Sequence, residues 1–173
     1  MNSPTHSISA RPRRSVIEGN PALLVLGGAD VYRPFAPLLN AARSLSIPVI
    51  FATVDAETCG PTGSAVLAGE GRIHPPCLSA FLGTPLSLLL ARLNAQTLLL
   101  AGGRTSVEVH YSFVDAHQND FFCRLAEDCM AGASPAAHEA ALKAMEYLQT
   151  GARQSSTTLV AALQAFEARR SSK

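Results

Sequence analysis

Four apolar runs stand out along the chain, and residues that favour turns separate them from the segments that follow. The runs cover residues 22–28, 47–54, 95–102 and 121–129. They are near-continuous rather than alternating, which is typical of strands that are covered on both faces of a sheet. The pattern therefore predicts four buried, parallel strands.

Helical spacing marks the segments between and after these runs. Thr84-Pro85 and Ser134-Pro135 each supply a capping residue followed by a proline that suits the first position of a helix. Residues 55–80 are rich in Gly, Pro and Ser and are predicted to be a loop. The predicted helices cover residues 34–46, 84–93, 105–118, 134–148 and 156–169.

Strands that alternate with helices predict an α/β fold. We expect one domain with three layers, α-β-α, around a parallel Rossmann-like sheet; it would span residues 21–173 and end in a helix at about 156–169. Residues 1–20 are predicted to be a flexible basic arm, since the first 17 residues hold three arginines and no acidic residue. A transit peptide is the alternative, but Pro4 and Pro12 disfavour the amphipathic helix that it needs.

Composition narrows the range of partners. Hydrophobic residues make up 47% of the chain, charged residues 16%, and the net charge is +1, so we expect neither nucleic acid nor a membrane as a partner. No uninterrupted apolar run is long enough to span a bilayer. The four cysteines form no C-x-x-C pair, which predicts reduced thiols in a cytoplasmic protein and no zinc site.

Ligands of parallel sheets bind beyond the carboxyl ends of the strands. The run at 95–102 leads through Gly103 and Thr105 to Glu108, and two interpretations of Glu108 stay open. The pattern T-x-x-E is that of a capping box, in which Thr105 and Glu108 each accept a hydrogen bond from the other's N–H. Alternatively, Glu108 is a general acid or base. Burial would raise the pKa of its carboxyl group, and a helix N-terminus would lower it.

Other polar residues follow the predicted strands. Asp30 is a candidate carboxylate at the site, with a turn residue as the alternative. His74 is a candidate for anion binding or proton transfer, with an exposed loop histidine as the alternative. Asp55 and Glu57 are residue types that bind metals, but the sequence shows no third ligand, so we predict no metal and no cofactor.

Two segments resemble motifs of the isochorismatase-like family of cysteine hydrolases. SAFLGTPL is similar to the family's SAF-x-GT-x-L, and LLLAGGRTSVEV is similar to its L-x-L-x-G-x-x-T-x-x-C-V. Asp115, Asp128 and His138 resemble further family positions. The order and spacing of these motifs over residues 22–148 carry the resemblance, which implies the three-layer fold already predicted.

The resemblance also implies catalytic residues that this chain replaces. The family uses an Asp at the end of the first strand, a Lys ahead of the SAF segment and a Cys nucleophile, and these positions fall on Gly27, Pro75 and Glu108. A carboxylate is a far weaker nucleophile toward amides than a thiolate. Cys77 is a conceivable substitute thiol, but it lies on a different strand connection. The chain is therefore predicted to have lost the hydrolytic triad.

The first functional hypothesis is a non-catalytic family member that binds a small molecule or a partner through the residual pocket. We expect Gly27, Arg104, Thr105 and Phe81 to line that pocket, and Arg104 or Arg33 to hold a carboxylate. The alternative is a diverged hydrolase or lyase that acts on a small carboxylate.

In that alternative, Glu108 is the general acid or base and Asp30 or His74 assists it. The resemblance further implies a homo-oligomer and a cis peptide bond near Gly103–Arg104. The apolar stripe of the last predicted helix, at residues 156–169, is a candidate subunit interface.

Overall fold

A computed structural model describes residues 15–27, 35–53 and 66–172. Its strands are β1 (Asn20–Leu26), β2 (Val49–Ala52), β3 (Gly71–Ile73), β4 (Ala95–Gly102), β5 (Phe122–Ala126) and β6 (Arg153–Gln154). Its α-helices are α1 (Ala36–Ser44), α2 (Leu86–Arg92), α3 (His110–Gln118), α4 (Pro135–Leu148) and α5 (Ser156–Ser171). A π-helical turn covers Thr105–Val109 and a 3₁₀ turn covers Glu127–Cys129.

The six strands form one sheet in the order β3-β2-β1-β4-β5-β6, and every neighbouring pair is parallel. The four predicted strands correspond to β1, β2, β4 and β5, which are the four central strands. The predicted α/β fold with a parallel sheet is therefore confirmed.

Successive residues of each central strand enter opposite layers, which explains the near-continuous apolar runs. Leu24 and Leu26 face the core under α2, α3 and α4. Leu23 and Val25 face the core under α1 and α5. Because side chains alternate across a strand, a strand covered on both faces needs apolar residues at every position. Helices cover both faces of the sheet, so the fold has three layers.

Two short strands lie outside the predicted set. β3 has three residues and falls inside the segment predicted to be loop, and β6 has two residues. Both are edge strands, so each pairs on one side only. Segments this short carry no periodicity of their own, and it is the neighbouring strand that fixes their extended backbone.

The folded domain begins before residue 21, the boundary predicted from the sequence. Ile17 is buried, and the carbonyl of Val16 accepts a hydrogen bond from Arg124 Nε at 2.6 Å. Glu18 N–H donates to Thr97 Oγ1 at 3.0 Å, and the Thr97 hydroxyl donates to Glu18 O at 2.6 Å. These residues are held against the sheet, whereas the first 14 residues of the predicted arm lie outside the described part.

The apolar stripe on the last helix packs inside its own subunit. Leu159 and Leu163 are fully buried in the core beside α1, and Phe166 packs at its margin. The expectation that this stripe is a subunit interface is wrong, because the sheet of the same chain already covers it. Across the described residues, no helix combines the length and the apolar character needed to cross a bilayer.

Candidate functional site

The register of the sheet brings four strand ends into one row. Leu26 pairs with Ala52 and Gly102, and Ala52 pairs with Ile73. The residues that follow these positions are Gly27, Thr53, His74 and Gly103. They stand side by side at the edge where the parallel strands end, which we call the carboxyl edge. Open parallel sheets place their ligands at this edge.

After β1 the chain adds β2 and β3 on one side of the sheet, and it then adds β4 on the other side of β1. In such sheets the ligand crevice opens where the strand order reverses, which is between β1 and β4 here. Gly102 and Gly103 form the turn there with φ of +74° and +69°. A Cβ on Gly102 would lie 2.5 Å from the Leu26 carbonyl oxygen, so only glycine fits. The expected cis peptide at Gly103–Arg104 is wrong, since the described residues contain none; left-handed glycines turn the chain instead.

Glu108 stands directly over this turn, because a Cβ on Gly103 would lie 3.6 Å from its Cβ. Both carboxylate oxygens accept hydrogen bonds from Arg104. The guanidinium donates to Oε1 from Nε at 3.0 Å and from Nη2 at 2.5 Å. The backbone N–H of Arg104 donates to Oε2 at 3.0 Å. The Glu108 side chain is 13% exposed and that of Arg104 is 61% exposed, so the carboxylate is half-buried and the arginine faces solvent.

The capping box forms only in part and in a different register. Glu108 reaches back to the N–H of Arg104 rather than to that of Thr105, because a π-helical turn starts the helix. Thr105 is fully buried, and its hydroxyl lies 2.7 Å from His138 Nδ1 on α4. Its N–H donates to Ala131 O at 2.8 Å. Thr105 therefore joins α4 to this turn.

The protonation state of Glu108 follows from these contacts. Burial by itself favours the neutral acid, but several contacts outweigh it. The Arg104 side chain and the N–H groups of Glu108 and Arg104 donate to the carboxylate, and the charge of Arg104 attracts it. The pKa of Glu108 therefore lies below its ordinary value. Near neutral pH this group is a carboxylate and not a proton donor.

His74 lies on the same edge but far from Glu108. Its Nδ1–H donates to the Thr53 carbonyl at 3.1 Å, so Nε2 is the acceptor of the neutral ring. It stands three strands from Gly103 in the row, which is roughly 14 Å at about 4.8 Å per strand. His74 and Glu108 belong to one site only if a ligand spans the gap between them.

Gly27 and Pro75, the positions that the resemblance assigns to Asp and Lys, carry no ionisable group here. Gly27 follows β1 with φ of +93°, and its N–H donates to Ala52 O at 3.1 Å. Pro75 is buried directly after His74. Asp30, Arg33, Asp55 and Glu57 lie outside the described residues. In the described ranges, no three His, Cys, Asp or Glu side chains gather closely enough to hold a metal ion.

The SAF segment is fastened to α3 by contacts that the motif alone did not reveal. The Ser79 hydroxyl donates to Asp115 Oδ2 at 2.5 Å, and Ala80 N–H donates to Ser112 Oγ at 3.0 Å. Phe81 is 8% exposed and its ring packs 6.1 Å from that of Phe121. Phe81 is therefore a core residue that positions the segment, rather than an open wall of the pocket.

Neither Cys77 nor Cys129 occupies the position that the resemblance assigns to the nucleophile, which holds Glu108. Cys77 is half-buried between β3 and α2, and its Sγ lies 3.7 Å from the carbonyl oxygens of Ser79 and Leu82. Cys129 is buried after β5, where burial and the neighbouring Asp128 raise its pKa to about 11. Asp128 itself accepts from the N–H of Ser156 at 2.7 Å and caps α5.

Comparisons with known proteins agree with this architecture. The chain matches the family described as the isochorismatase domain over residues 16–158. No curated protein sequence matches it. Similar solved structures include an isochorismatase-like hydrolase from Alkaliphilus metalliredigens, with TM-score 0.71 and 18% identity, covering 85% of this chain and 99% of the other.

Two further solved structures share the fold. One is an isochorismatase family protein from Desulfovibrio vulgaris, with TM-score 0.72, 22% identity and coverage of 84% of this chain and 98% of the other. The second is a nicotinamidase from Bacillus subtilis, with TM-score 0.64, 20% identity and coverage of 79% and 99%. At these identities the likeness concerns the fold.

Proposed function

Because this chain belongs to the isochorismatase family, we propose that it is a member without a cysteine nucleophile, which binds a small molecule at the carboxyl edge. The observation that carries this proposal is the ion pair at the start of the helix after β4. The position assigned to the nucleophile holds Glu108, and Arg104 occupies both of its oxygens.

Thiol-based hydrolysis needs more than a nucleophile, and the two supporting positions favour the same proposal. A base must take the thiol proton, and a charge must stabilise the thiolate. Gly27 has no side chain, and Pro75 has neither a charge nor an N–H group. A carboxylate with a lowered pKa replaces the thiolate at Glu108 and is a poor nucleophile toward amides.

A small carboxylate is the ligand class that suits the described groups. The Arg104 side chain, which follows β4 beside the end of β1, is 61% exposed. Guanidinium groups bind carboxylates through paired N–H donors. A ligand carboxylate would share Arg104 with Glu108, and its other end would extend along the row toward His74.

A binding experiment with matched probes tests this ligand class. Benzoate and benzamide have the same shape and differ in charge. We expect benzoate to raise the melting temperature in a saturable manner and benzamide to have no effect. Arg104→Gln should abolish the benzoate effect, whereas Arg92→Gln, which removes an exposed arginine from α2, should preserve it. Equal responses to both probes, or an unchanged response in Arg104→Gln, would refute carboxylate recognition.

A second experiment tests the absence of thiol chemistry. Wild-type protein should not hydrolyse nicotinamide, and Glu108→Cys should not gain that activity, because Gly27 and Pro75 leave the new thiol without its base and its charge. Turnover that iodoacetamide abolishes would overturn the proposal. Turnover that iodoacetamide spares and Glu108→Gln abolishes would favour the alternative, a diverged hydrolase or lyase with Glu108 as its acid or base.

A further inference from the structure

The Arg104 guanidinium already holds a carboxylate from its own chain. Its Nε and Nη2 donate to Glu108 Oε1 at 3.0 and 2.5 Å, and Nε also lies 3.2 Å from Oε2. These adjacent N–H groups form the edge with which a guanidinium binds a carboxylate through paired donors. The group that we propose to recognise a ligand carboxylate is therefore occupied by a side chain of the same chemical class.

Glu108 also has backbone donors that do not depend on the guanidinium. The N–H of Arg104 donates to Oε2 at 3.0 Å, and the N–H of Glu108 itself donates to the carboxylate. Leaving a half-buried carboxylate without hydrogen bonds would be costly. Because the backbone donors stay in place, the guanidinium can leave Glu108 without removing all of the hydrogen bonds to its carboxylate.

The two partners of this ion pair differ in their exposure. The Arg104 side chain is 61% exposed, whereas that of Glu108 is 13% exposed. Solvent screens a pair with an exposed member, so separating the two groups costs little free energy. A second carboxylate on the same guanidinium would be repelled by Glu108, since like charges at short distance repel each other. We therefore expect an incoming carboxylate to replace Glu108 on the guanidinium rather than to join it.

We propose that Glu108 is an internal ligand of Arg104, and that a carboxylate ligand binds by displacing it from the guanidinium. The ligand then contacts the side chain of Arg104, while Glu108 keeps the backbone N–H of the same residue. Glu108 thus lowers the affinity for every carboxylate by the strength of its own ion pair, and a neutral ligand has no charge with which to replace it. This inference rests on the carboxylate recognition proposed above and adds its regulation by the chain itself.

Benzoate binding by the wild-type protein and by Glu108→Gln tests the proposal. Both full chains are titrated with benzoate at constant pH and ionic strength, and binding is followed through the amide NMR signals of residues 103–109. Glutamine has the same length as glutamate, so the change removes the competing charge and little else. It should tighten benzoate binding about two- to fivefold, the ratio that corresponds to an exposed ion pair at this spacing.

A control variant separates displacement from a change in net charge. Glu167→Gln removes the acid of another local ion pair, with Arg170 on α5, and should leave benzoate binding unchanged. An equal gain in Glu167→Gln, or an affinity in Glu108→Gln no higher than that of the wild type, would overturn the inference. Carboxylate recognition would still stand in those cases if Arg104→Gln abolished binding. No benzoate binding by either the wild type or Glu108→Gln would refute the proposed ligand class as well.

Discussion

At the scale of single residues, the ion pair between Arg104 and Glu108 decides which chemistry the carboxyl edge can perform. The two residues are four apart and share one turn, so the carboxylate is neutralised by a group from its own segment. Arg104 is more than half exposed, which limits the strength of the pair because solvent screens it. The pair determines charge and protonation more than it determines stability.

A double-mutant cycle of Arg104→Gln and Glu108→Gln measures this pair. We expect a coupling free energy of about 0.3–1 kcal/mol in urea unfolding, as for other exposed ion pairs at this spacing. High salt should reduce the coupling, because ions screen exposed charges. A coupling above about 2 kcal/mol that resists salt would mean that the pair is more buried than this geometry indicates.

At the scale of elements, hydrogen bonds from buried polar side chains link helices and turns that also pack together through the hydrophobic cores. Gln149, at the end of α4, is 4% exposed. Its Oε1 accepts from Cys123 N–H at 2.6 Å, and its Nε2 donates to Phe121 O at 3.0 Å and to His117 Nδ1 at 3.1 Å. One amide therefore connects α4 to the turn between α3 and β5.

Gln149→Ala should destabilise the protein by about 2–4 kcal/mol, because the mutation removes the side-chain acceptor of the Cys123 N–H and the amide donor to the Phe121 carbonyl in a buried place. Gln164→Ala, at an exposed position of α5, is the matched control and should change stability by less than about 0.5 kcal/mol. Urea unfolding of both variants measures the difference. Similar small effects would show that water replaces the amide.

A second link between elements should depend on pH. Arg43 on α1 donates to Glu70 from Nε at 2.7 Å and from Nη2 at 2.9 Å. Leu67 N–H donates to the same carboxylate at 2.7 Å. The Arg43 side chain holds the pKa of Glu70 below its ordinary value against the opposing effect of burial.

Since the folded pKa of Glu70 is lowered, its stabilisation is complete above the unfolded pKa of about 4.3 and is lost as the pH falls through the folded value. We expect the free energy of unfolding to fall between pH 5 and pH 3, and Glu70→Gln to remove on the order of 1 kcal/mol of that dependence. Urea unfolding across this range measures it. Parallel pH curves for the two proteins would contradict the prediction.

At the scale of the whole molecule, the remaining question is assembly. Large apolar side chains stay open on the described surface, among them Leu82 at 65% exposed, Leu88 at 64% and Tyr147 at 88%. Large apolar side chains exposed on the surface are candidates for contacts with another molecule. With the stripe on α5 buried in its own subunit, these residues are the better candidates for a subunit contact.

We predict a homo-oligomer in solution. Light scattering after size exclusion at micromolar concentration should give at least twice the monomer mass. Leu82→Asp should lower that mass if the SAF segment contributes to the interface, because it places a charge in an apolar contact. A monomer mass for the wild-type protein over the micromolar range would contradict the prediction.

The sequence by itself determined the central architecture of this protein. Near-continuous apolar runs at β1, β2, β4 and β5 specify strands buried on both faces, because every position of such a strand meets a core. The start of α4 follows from local chemistry, with Ser134 at the N-cap and Pro135 as the first helical residue, as predicted. There, Ser134 Oγ accepts from Ala137 N–H at 3.2 Å. α2 begins one residue later than predicted, at Leu86, with Pro85 rather than Thr84 at the N-cap position.

Only the tertiary structure decided the edges of the sheet and the contacts of the site. β3 and β6 are extended because β2 and β5 pair with them. The Thr105 hydroxyl is hydrogen-bonded to His138, a residue 33 positions away. The helix starts with a π-helical turn, in which the Glu108 carboxylate accepts from the N–H of Arg104 instead of that of Thr105. Competition between distant partners for one hydroxyl or carboxylate depends on three-dimensional proximity, and a local sequence pattern does not record it.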